Sequence, residues 1–177
     1  MKLTGTAILP AAPIEVWALL TDPTRLARLL PGCKRLEPSG PHRYKAAVKF
    51  GLAAITGDYA GSLEFTDAQP PHSLTLKLEG KGLPGFVKGE GRLELLPKGT
   101  QTEVRYAGEA QVGGLIASVG QRMIEGAARK IVQQFFYSAA AELASPPPAE
   151  TAAAAHPARD LQTAPKPKGS KQKRSRA

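Results

Sequence analysis

The sequence predicts an α+β domain in which a curved, seven-stranded antiparallel sheet wraps around a long C-terminal helix. Two observations lead to this prediction. Stretches of alternating apolar and polar residues follow one another across short turns, which is typical of an antiparallel meander. A final segment, 115–143, carries apolar residues at helical spacing. One long helix of this kind can cover the apolar face of such a sheet.

The chain opens with a strand and two short helices. The strand is predicted at residues 2–9. Pro13 suits the first turn of the first helix, and Asp22, followed by proline, is a typical start of the second. Pro31-Gly32 ends that second helix. We expect the two helices to close one end of the sheet.

Six more strands are predicted after these helices. The turns between them contain Pro, Gly and Asp, and their short length implies that consecutive strands pair antiparallel. With the first strand and the last helix they make a helix-grip architecture. The predicted strands are 33–38, 42–50, 54–66, 72–80, 86–96 and 101–111.

Composition divides the chain into a folded domain at 1–144 and a tail at 145–177. Three consecutive prolines follow Ser145, and Leu161 is the only large apolar residue beyond them. Such a segment buries too little surface to offset the entropy of ordering, so it is predicted to be disordered. The tail holds seven of the 24 Lys and Arg residues and only two acids. The basic charge is therefore no sign that the domain binds nucleic acid specifically.

Small residues occupy inward-facing positions at the centre of the predicted sheet, where a solid core would have large apolar residues. Alternation turns six of them inward, and they are Gly57, Gly61, Gly89, Gly91, Gly108 and Ala110. Glycine here either bends the strands or leaves a cavity, and a strongly curved sheet combines both. The residues predicted to line the cavity are Trp17, Ile55, Tyr59, Leu63, Leu76, Leu78, Phe86, Gly89, Gly91, Leu93, Val104, Tyr106, Ile116, Val119, Met123 and Ala127.

Glycine-rich connections gather at one end of the predicted sheet. The one formed by Gly82, Leu83, Pro84 and Gly85 is predicted to be a mobile lip at the cavity mouth, and an ordinary hairpin turn is the alternative.

The sequence contains few groups suited to catalysis or to metal binding. The three histidines are scattered, Cys33 is the single cysteine, and no metal-ligand spacing is present. The inward polar groups are Tyr59 and Tyr106, each either a core tyrosine or a ligand-orienting hydroxyl. We therefore predict no enzyme, no metal and no covalent cofactor. The alternative is a cavity enzyme, a cyclase or hydrolase acting on an apolar molecule.

Three blocks of residues resemble the CoxG (carbon monoxide dehydrogenase G-subunit) family of the START-like (helix-grip, SRPBCC) superfamily. The first runs from Val16 to Pro23 and continues through Leu29-Leu30-Pro31-Gly32-Cys33. The second comprises Gly80-Lys81-Gly82, Gly85-Phe86 and Gly89-Glu90-Gly91. The third spans 120–130 and continues into Gln134-Phe135-Phe136.

The resemblance implies a non-catalytic accessory protein. Members are associated with attaching a molybdenum-containing carbon monoxide dehydrogenase to the inner face of the cytoplasmic membrane. It further implies a hydrophobic small molecule as ligand, namely a quinone such as menaquinone or ubiquinone, or a lipid. The single cysteine and the absence of a long apolar leader favour a cytoplasmic, peripheral location.

The tail is predicted to contact anionic lipid. Its basic residues contribute about 1 kcal/mol each near such a surface, and a solubilising disordered end is the alternative. The residues concerned are Lys166, Lys168, Lys171, Lys173, Arg174 and Arg176.

Overall fold

A computed structural model describes residues 1–51 and 56–145. The order of elements agrees with the sequence prediction. The elements are β1 (Lys2–Leu9), α1 (Pro13–Thr21), α2 (Pro23–Leu29), β2 (Cys33–Gly40), β3 (Arg43–Phe50), β4 (Gly57–Gln69), β5 (Ser73–Gly82), β6 (Gly85–Lys98), β7 (Gln101–Gly113), a 3-10 helix (Leu115–Val119) and α3 (Gln121–Ala144).

The strands form one curved antiparallel sheet in the order β1-β7-β6-β5-β4-β3-β2. Strands β2 to β7 make a meander, and β1 pairs with the free edge of β7. The predicted seven-stranded helix-grip fold is therefore confirmed. The short helices also begin as predicted, since the Asp22 carboxylate accepts the backbone N–H of Thr24 (2.8 Å) and of Arg25 (3.1 Å).

The C-terminal helix differs from the prediction of one helix at 115–143. The structure divides this segment into the 3-10 helix and α3, with Gly120 between them. Gly120 has φ of 94° and ψ of 143°, a conformation that ends a helix and that L side chains rarely adopt. Apolar spacing that is counted across Gly120 therefore does not identify a single helix face.

The inward face of α3 differs in part from the predicted one. The inward residues are Ile124, Ala128, Ile131, Val132 and Phe135. Met123, which was predicted to face the sheet, is 54 % exposed. The predicted positions in α3 are four residues apart and drift by about 40° per step on a helix of 3.6 residues per turn, so Met123 lies about 120° around the helix from Phe135.

The solid part of the core lies where α1 and the second half of α3 meet the sheet, and we call it the packed end. Its fully buried polar group is satisfied, because the Thr102 hydroxyl donates to the Ala11 carbonyl oxygen (2.7 Å). The packed end comprises Leu9, Val16, Leu19, Leu95, Val104, Phe136 and Ala139.

An ion pair fixes α3 to α2. The Arg25 guanidinium donates to the Glu142 carboxylate (2.8 Å), and Arg28 reaches the same oxygen (3.4 Å). Helix α3 packs mainly against β1, α1, α2 and the 3-10 helix. It therefore stands away from the central strands, and this separation leaves space between helix and sheet.

Candidate functional site

Two adjoining chambers lie between α3 and the inner face of the sheet. Chamber 1 has a volume of about 250 Å³ and chamber 2 of about 270 Å³. The two chambers share seven wall residues and therefore adjoin each other. The shared residues are Leu3, Leu30, Leu63, Leu78, Ala110, Ile131 and Val132.

Chamber 1 lies over the middle of strands β5, β6 and β7. Leu76 and Leu93 form its walls with Phe135 from α3, while Gly91 and Gly108 face each other across β6 and β7. The nearest atoms to a Cβ placed on Gly91 would be 3.7 Å away, so a side chain there would enter the chamber without displacing the backbone.

Chamber 2 lies towards the end of the sheet where β5 and β6 connect. Its walls include Phe50, Tyr59, Val87, Val112 and Ile124. Gly80 also faces it, and a Cβ there would meet no atom within 4 Å. The absence of side chains at Gly80 and Gly91 thus creates part of the cavity directly.

Other inward glycines serve the backbone instead. A Cβ on Gly61 would overlap the Glu79 carbonyl oxygen, and one on Gly108 would come within 2.8 Å of the Glu90 carbonyl oxygen. The two explanations of the glycine pattern, strand bending and open space, therefore apply to different positions on the same sheet.

The Tyr59 hydroxyl is the one buried side-chain polar atom with no hydrogen-bond partner in the described part of the chain. Tyr59 is 6 % exposed and lines chamber 2, where it makes an edge-on contact with Phe50 (5.7 Å between ring centroids). Burial raises the pKa of the Tyr59 phenol. A buried hydroxyl without a partner costs free energy, and a ligand oxygen in chamber 2 would supply that partner.

Tyr106, the second predicted polar group, lines chamber 1. Its ring stacks on Phe136 (5.4 Å between centroids) and lies over Gly5 of β1. The ring therefore forms part of the wall between chamber 1 and the packed end.

The charged residues bordering the cavity direct their side chains outward. Glu79 and Glu90 alternate with the inward residues of β5 and β6, and each makes an exposed ion pair, with Lys88 (2.7 Å) and Lys77 (3.9 Å) respectively. Arg92 and Glu109 are likewise paired on the solvent side. The cavity interior is thus almost entirely apolar.

Half of the predicted cavity residues border the chambers. They come from β4 to β7, where alternation assigned the strand faces. These residues are Tyr59, Leu63, Leu76, Leu78, Gly89, Gly91, Leu93 and Tyr106.

The other predicted cavity residues lie elsewhere in the structure, apart from Ile55, which is outside the described residues. Val104 belongs to the packed end, and Trp17 packs between it and the neighbouring core. Ile116 and Ala127 pack with Tyr59, behind the wall of chamber 2. The remaining three, Phe86, Val119 and Met123, are exposed.

Phe86 is exposed because of its position on β6. On β6 the inward residues are Val87, Gly89 and Gly91, so Phe86 has the opposite parity and points to the outer face. Its ring there covers Gly113 of β7. Val119 lies in the 3-10 helix before Gly120, and Met123 stands at the start of α3, rotated away from the inward face.

Several wall residues were missed by the sequence analysis. Helix α2 and strand β2 contribute Leu26, Leu30 and Leu36, and β1 contributes Leu3. The apolar face of α2 was visible in the sequence. Its position over the sheet was not, because that position depends on the contacts of α2 with β2 and α3.

The predicted mouth loop is a tight hairpin. Strands β5 and β6 continue to Gly82 and Gly85, which leaves a turn of two residues, Leu83 and Pro84. The four residues do not line either chamber, but they adjoin chamber 2, since a Cβ on Gly82 would lie 3.2 Å from the Tyr59 ring. The connection is therefore a two-residue hairpin, and a mobile lip at this position stays a prediction.

Three findings bear on chemistry and attachment. Among residues 1–51 and 56–145, no group of three or more His, Cys, Asp or Glu side chains is arranged to hold a metal ion. The Cys33 thiol is partly buried and donates to the Arg35 carbonyl oxygen (3.4 Å), and burial raises its pKa, which disfavours the reactive thiolate. No helix within the described ranges is long and apolar enough to cross a membrane. The six basic tail residues lie outside those ranges.

Comparison with solved structures shows the fold. A conserved protein from Geobacillus kaustophilus is similar at 39 % identity, with a TM-score of 0.79, over 81 % of this chain and 95 % of that one. A START superfamily protein from Mycobacterium smegmatis has a TM-score of 0.64 at 14 % identity, covering 80 % and 96 % of the two chains. The Zhui aromatase/cyclase from Streptomyces sp. R1128 has a TM-score of 0.63 at 11 % identity, covering 81 % and 93 %.

Sequence comparison identifies the family. No protein of curated function matches the chain significantly. The model of the CoxG family, the G-subunit family of carbon monoxide dehydrogenase, matches residues 5–144, which run from within β1 to the end of α3. This chain, with its START-like fold, therefore belongs to the CoxG (carbon monoxide dehydrogenase G-subunit) family.

Proposed function

We propose that this protein is a non-catalytic accessory protein that binds a hydrophobic ligand between α3 and the sheet. The observation that carries the proposal is the pair of adjoining apolar chambers, in which the Tyr59 hydroxyl is the one buried, unpartnered polar group among the described side chains. Ligand sites are typically apolar cavities of about 300–1,000 Å³ with a few polar groups, and the two chambers together fall in this range.

The ligand we propose is a respiratory quinone, menaquinone or ubiquinone, or a lipid of similar polarity. A quinone joins a flat apolar ring to carbonyl oxygens, and a carbonyl oxygen can accept a hydrogen bond from Tyr59. An isoprenoid chain would contact the leucine-rich wall of chamber 1. Burial of an oxygen without a donor is unfavourable, so Tyr59 favours oxygen-bearing ligands over plain hydrocarbons.

Binding of menaquinone and ubiquinone to the full chain tests this proposal. We expect either quinone to bind with a Kd well below about 1 mM and to be detected by native mass spectrometry. Gly91→Leu should abolish binding because its side chain fills chamber 1. Gly126→Leu, at an exposed position of α3, is the matched control and should bind as the unmodified protein does. The proposal would be overturned if no quinone or lipid bound with a Kd below about 1 mM.

The family membership supports a partner as well as a ligand. We propose that the protein links a carbon monoxide dehydrogenase-type molybdenum hydroxylase to the quinone pool, at the inner face of the cytoplasmic membrane. The test is quinone reduction by such a dehydrogenase with and without this protein. Acceleration by the unmodified chain and not by Gly91→Leu is expected, and equal rates would exclude the delivery role.

The basic tail is proposed to hold the protein at the membrane surface. Six Lys and Arg residues lie between Lys166 and Arg176, with no acid among them. Neutralising all six to Gln in the full chain should weaken sedimentation with anionic vesicles in low salt, and about 0.5 M salt should weaken the sedimentation of the unmodified chain. Equal sedimentation of both proteins would reject the tail as an anchor.

The similarity of the fold to an aromatase/cyclase favours a second candidate, a cavity enzyme. Such chemistry requires an acid or base within hydrogen-bond reach of the substrate. Tyr59, Tyr106 and Ser62 carry the hydroxyls of the described walls, and burial raises the pKa of Tyr59, which makes it a weaker acid. Turnover of a bound polyketide or ester that is lost in Tyr59→Phe would favour the enzyme over the carrier.

A further inference from the structure

Five exposed apolar side chains gather at the end of the domain next to chamber 2. They come from the β5–β6 turn, the first residues of β6, the 3-10 helix and the start of α3. We call this surface the apolar tip, and it consists of Leu83, Phe86, Leu115, Val119 and Met123. Large apolar side chains exposed together on a folded domain mark an interaction surface.

Local contacts hold the segments of the apolar tip together. The Ile116 backbone N–H donates to the Pro84 carbonyl oxygen (2.9 Å), which joins the 3-10 helix to the hairpin turn. The Phe86 ring covers Gly113, directly before the 3-10 helix. Val119 and Met123 border one shallow surface depression. The side chains are therefore presented by an ordered, hydrogen-bonded scaffold.

Cations outnumber acids around the apolar tip. Segments 79–88 and 111–125 contain Lys81, Lys88 and Arg122 together with the acids Glu79 and Glu125, and the Glu125 carboxylate accepts a hydrogen bond from the Gln121 amide (2.8 Å). Lys88 pairs with Glu79, whereas Lys81 and Arg122 are exposed and make no ion pair within the described ranges. Exposed cations beside apolar side chains suit an anionic lipid surface, where the cations meet phosphate groups and the apolar groups reach the acyl chains.

The apolar tip adjoins chamber 2. Gly80, Val87 and Val112 line that chamber and lie within a few residues of the hairpin turn and the 3-10 helix. Ile116, which is 1 % exposed, packs with Tyr59 between the 3-10 helix and the chamber. A ligand leaving chamber 2 towards this end would therefore pass beside Ile116 and emerge among the tip residues.

We infer that the apolar tip docks into an anionic lipid bilayer and is the face through which the ligand passes between membrane and cavity. The ligand route rests on the proposed function, whereas docking itself does not. Leu83 is fully exposed at the apex of a two-residue turn, so it projects from the surface. A projecting apolar side chain flanked by cations fits between the headgroups of an anionic bilayer.

Site-specific labelling of the full chain tests the docking. In a Cys33→Ser background, an environment-sensitive fluorophore is attached at Leu83→Cys or Leu115→Cys, and at Ile14→Cys as the control. Ile14 is exposed and apolar, but it lies at the opposite end of the sheet, next to the end of β1. On vesicles containing about one third phosphatidylglycerol, brominated acyl chains should quench the labels at 83 and 115 and leave the label at 14 unquenched.

Substitutions provide the second measurement. Leu83→Ser with Leu115→Ser should weaken vesicle binding about tenfold or more at about 0.5 M salt, where tail attraction is screened, and Ile14→Ser should change it less than about twofold. Vesicle-bound protein with no quenching at 83 would overturn the inference. A label response that grows with protein concentration without lipid would overturn it in favour of an interface between copies.

Ligand transfer separates this inference from the proposed function. The double serine variant should take up menaquinone from vesicles about tenfold more slowly, yet bind menaquinone in detergent with unchanged affinity. Unchanged uptake from vesicles together with normal binding would overturn the transfer face and leave the cavity function intact. Loss of binding in detergent by the unmodified protein would instead refute the proposed function.

Discussion

At the packed end, inward positions of the sheet carry large side chains, whereas further along the same strands they carry glycine. On β6, Leu95 is 1 % exposed within the core, and Gly91, four residues earlier on the same face, borders open space. Both ends share the sheet, the strand pairing and the helix α3. Side-chain volume at a few inward positions therefore decides whether this fold is solid or hollow.

The two ends also treat polar groups differently. At the packed end the buried Thr102 hydroxyl donates to a carbonyl oxygen, as buried groups in stable cores do. In chamber 2 the Tyr59 hydroxyl has no partner in the described structure. The packed end thus supplies the stability that allows the hollow end to keep unfilled space and an unpaired hydroxyl.

The largest expected difference between the ends comes from removing leucine side chains. Leu95→Ala should lower the free energy of unfolding by about 2–5 kcal/mol, because the packed end cannot collapse around the missing atoms. Leu78→Ala should cost only about 1 kcal/mol, because Leu78 already borders empty space and is 36 % exposed. Chemical denaturation of both variants measures the comparison, and equal losses would mean that the chambers are not open in solution.

The sequence predicted the fold and the strand faces because both follow from a period of two along β4 to β7. Tyr59, Leu63 and Leu93 face the chambers, on the side that alternation assigned to them. Phe86 was included against that alternation, and its outward position shows that parity was the better guide. The face of α3 was predicted with a four-residue spacing, which drifts around a helix of 3.6 residues per turn, and across Gly120, where the helix is interrupted.

The helix side of the cavity needed the structure for a different reason. Leu30 and Leu36 reach the chambers because α2 and β2 are held against α3, in part by the ion pair between Arg25 and Glu142. Sequence periodicity reports which face of an element is apolar. It does not report how far that element stands from the next, and this distance determines whether the apolar faces meet or enclose a cavity.

Substitution of two inward glycines by alanine sharpens the distinction between close backbone and open space. Gly61→Ala should destabilise the protein by about 1–3 kcal/mol, because its Cβ overlaps the Glu79 carbonyl oxygen and the backbone must move. Gly91→Ala should be neutral or stabilising by up to about 1 kcal/mol, because the Cβ fits and the unfolded chain loses freedom. Thermal unfolding gives both values, and similar losses would indicate that Gly91 too is held close to neighbouring backbone.

Hydroxyl removal compares the polar groups of the two ends. Thr102→Val should cost about 1–3 kcal/mol, since it leaves the buried Ala11 carbonyl oxygen without a donor. Tyr59→Phe should leave stability unchanged or raise it by up to about 1 kcal/mol, because no hydrogen bond is lost and a buried hydroxyl without a partner is removed, yet it should weaken quinone binding about five- to tenfold. Chemical denaturation measures the stability changes of both variants, and quinone titration measures the change in affinity. A large stability loss in Tyr59→Phe would show that the hydroxyl has an internal partner and is not reserved for a ligand.

The smallest effect concerns alkaline pH. Burial raises the pKa of Tyr59, so the folded protein holds the phenol proton at a pH where the unfolded chain has begun to release it. The stability linked to Tyr59 is therefore complete below the ordinary tyrosine pKa of about 10 and falls as pH rises through the folded pKa. Tyr59→Phe should flatten this alkaline decline, and Tyr137→Phe, at a largely exposed site, should not. A bound quinone that accepts a hydrogen bond from the Tyr59 hydroxyl should extend the decline to still higher pH, because it raises the folded pKa while the unfolded pKa stays unchanged. An alkaline decline that is the same with and without quinone would place the ligand oxygen away from Tyr59, even if the chambers bind it.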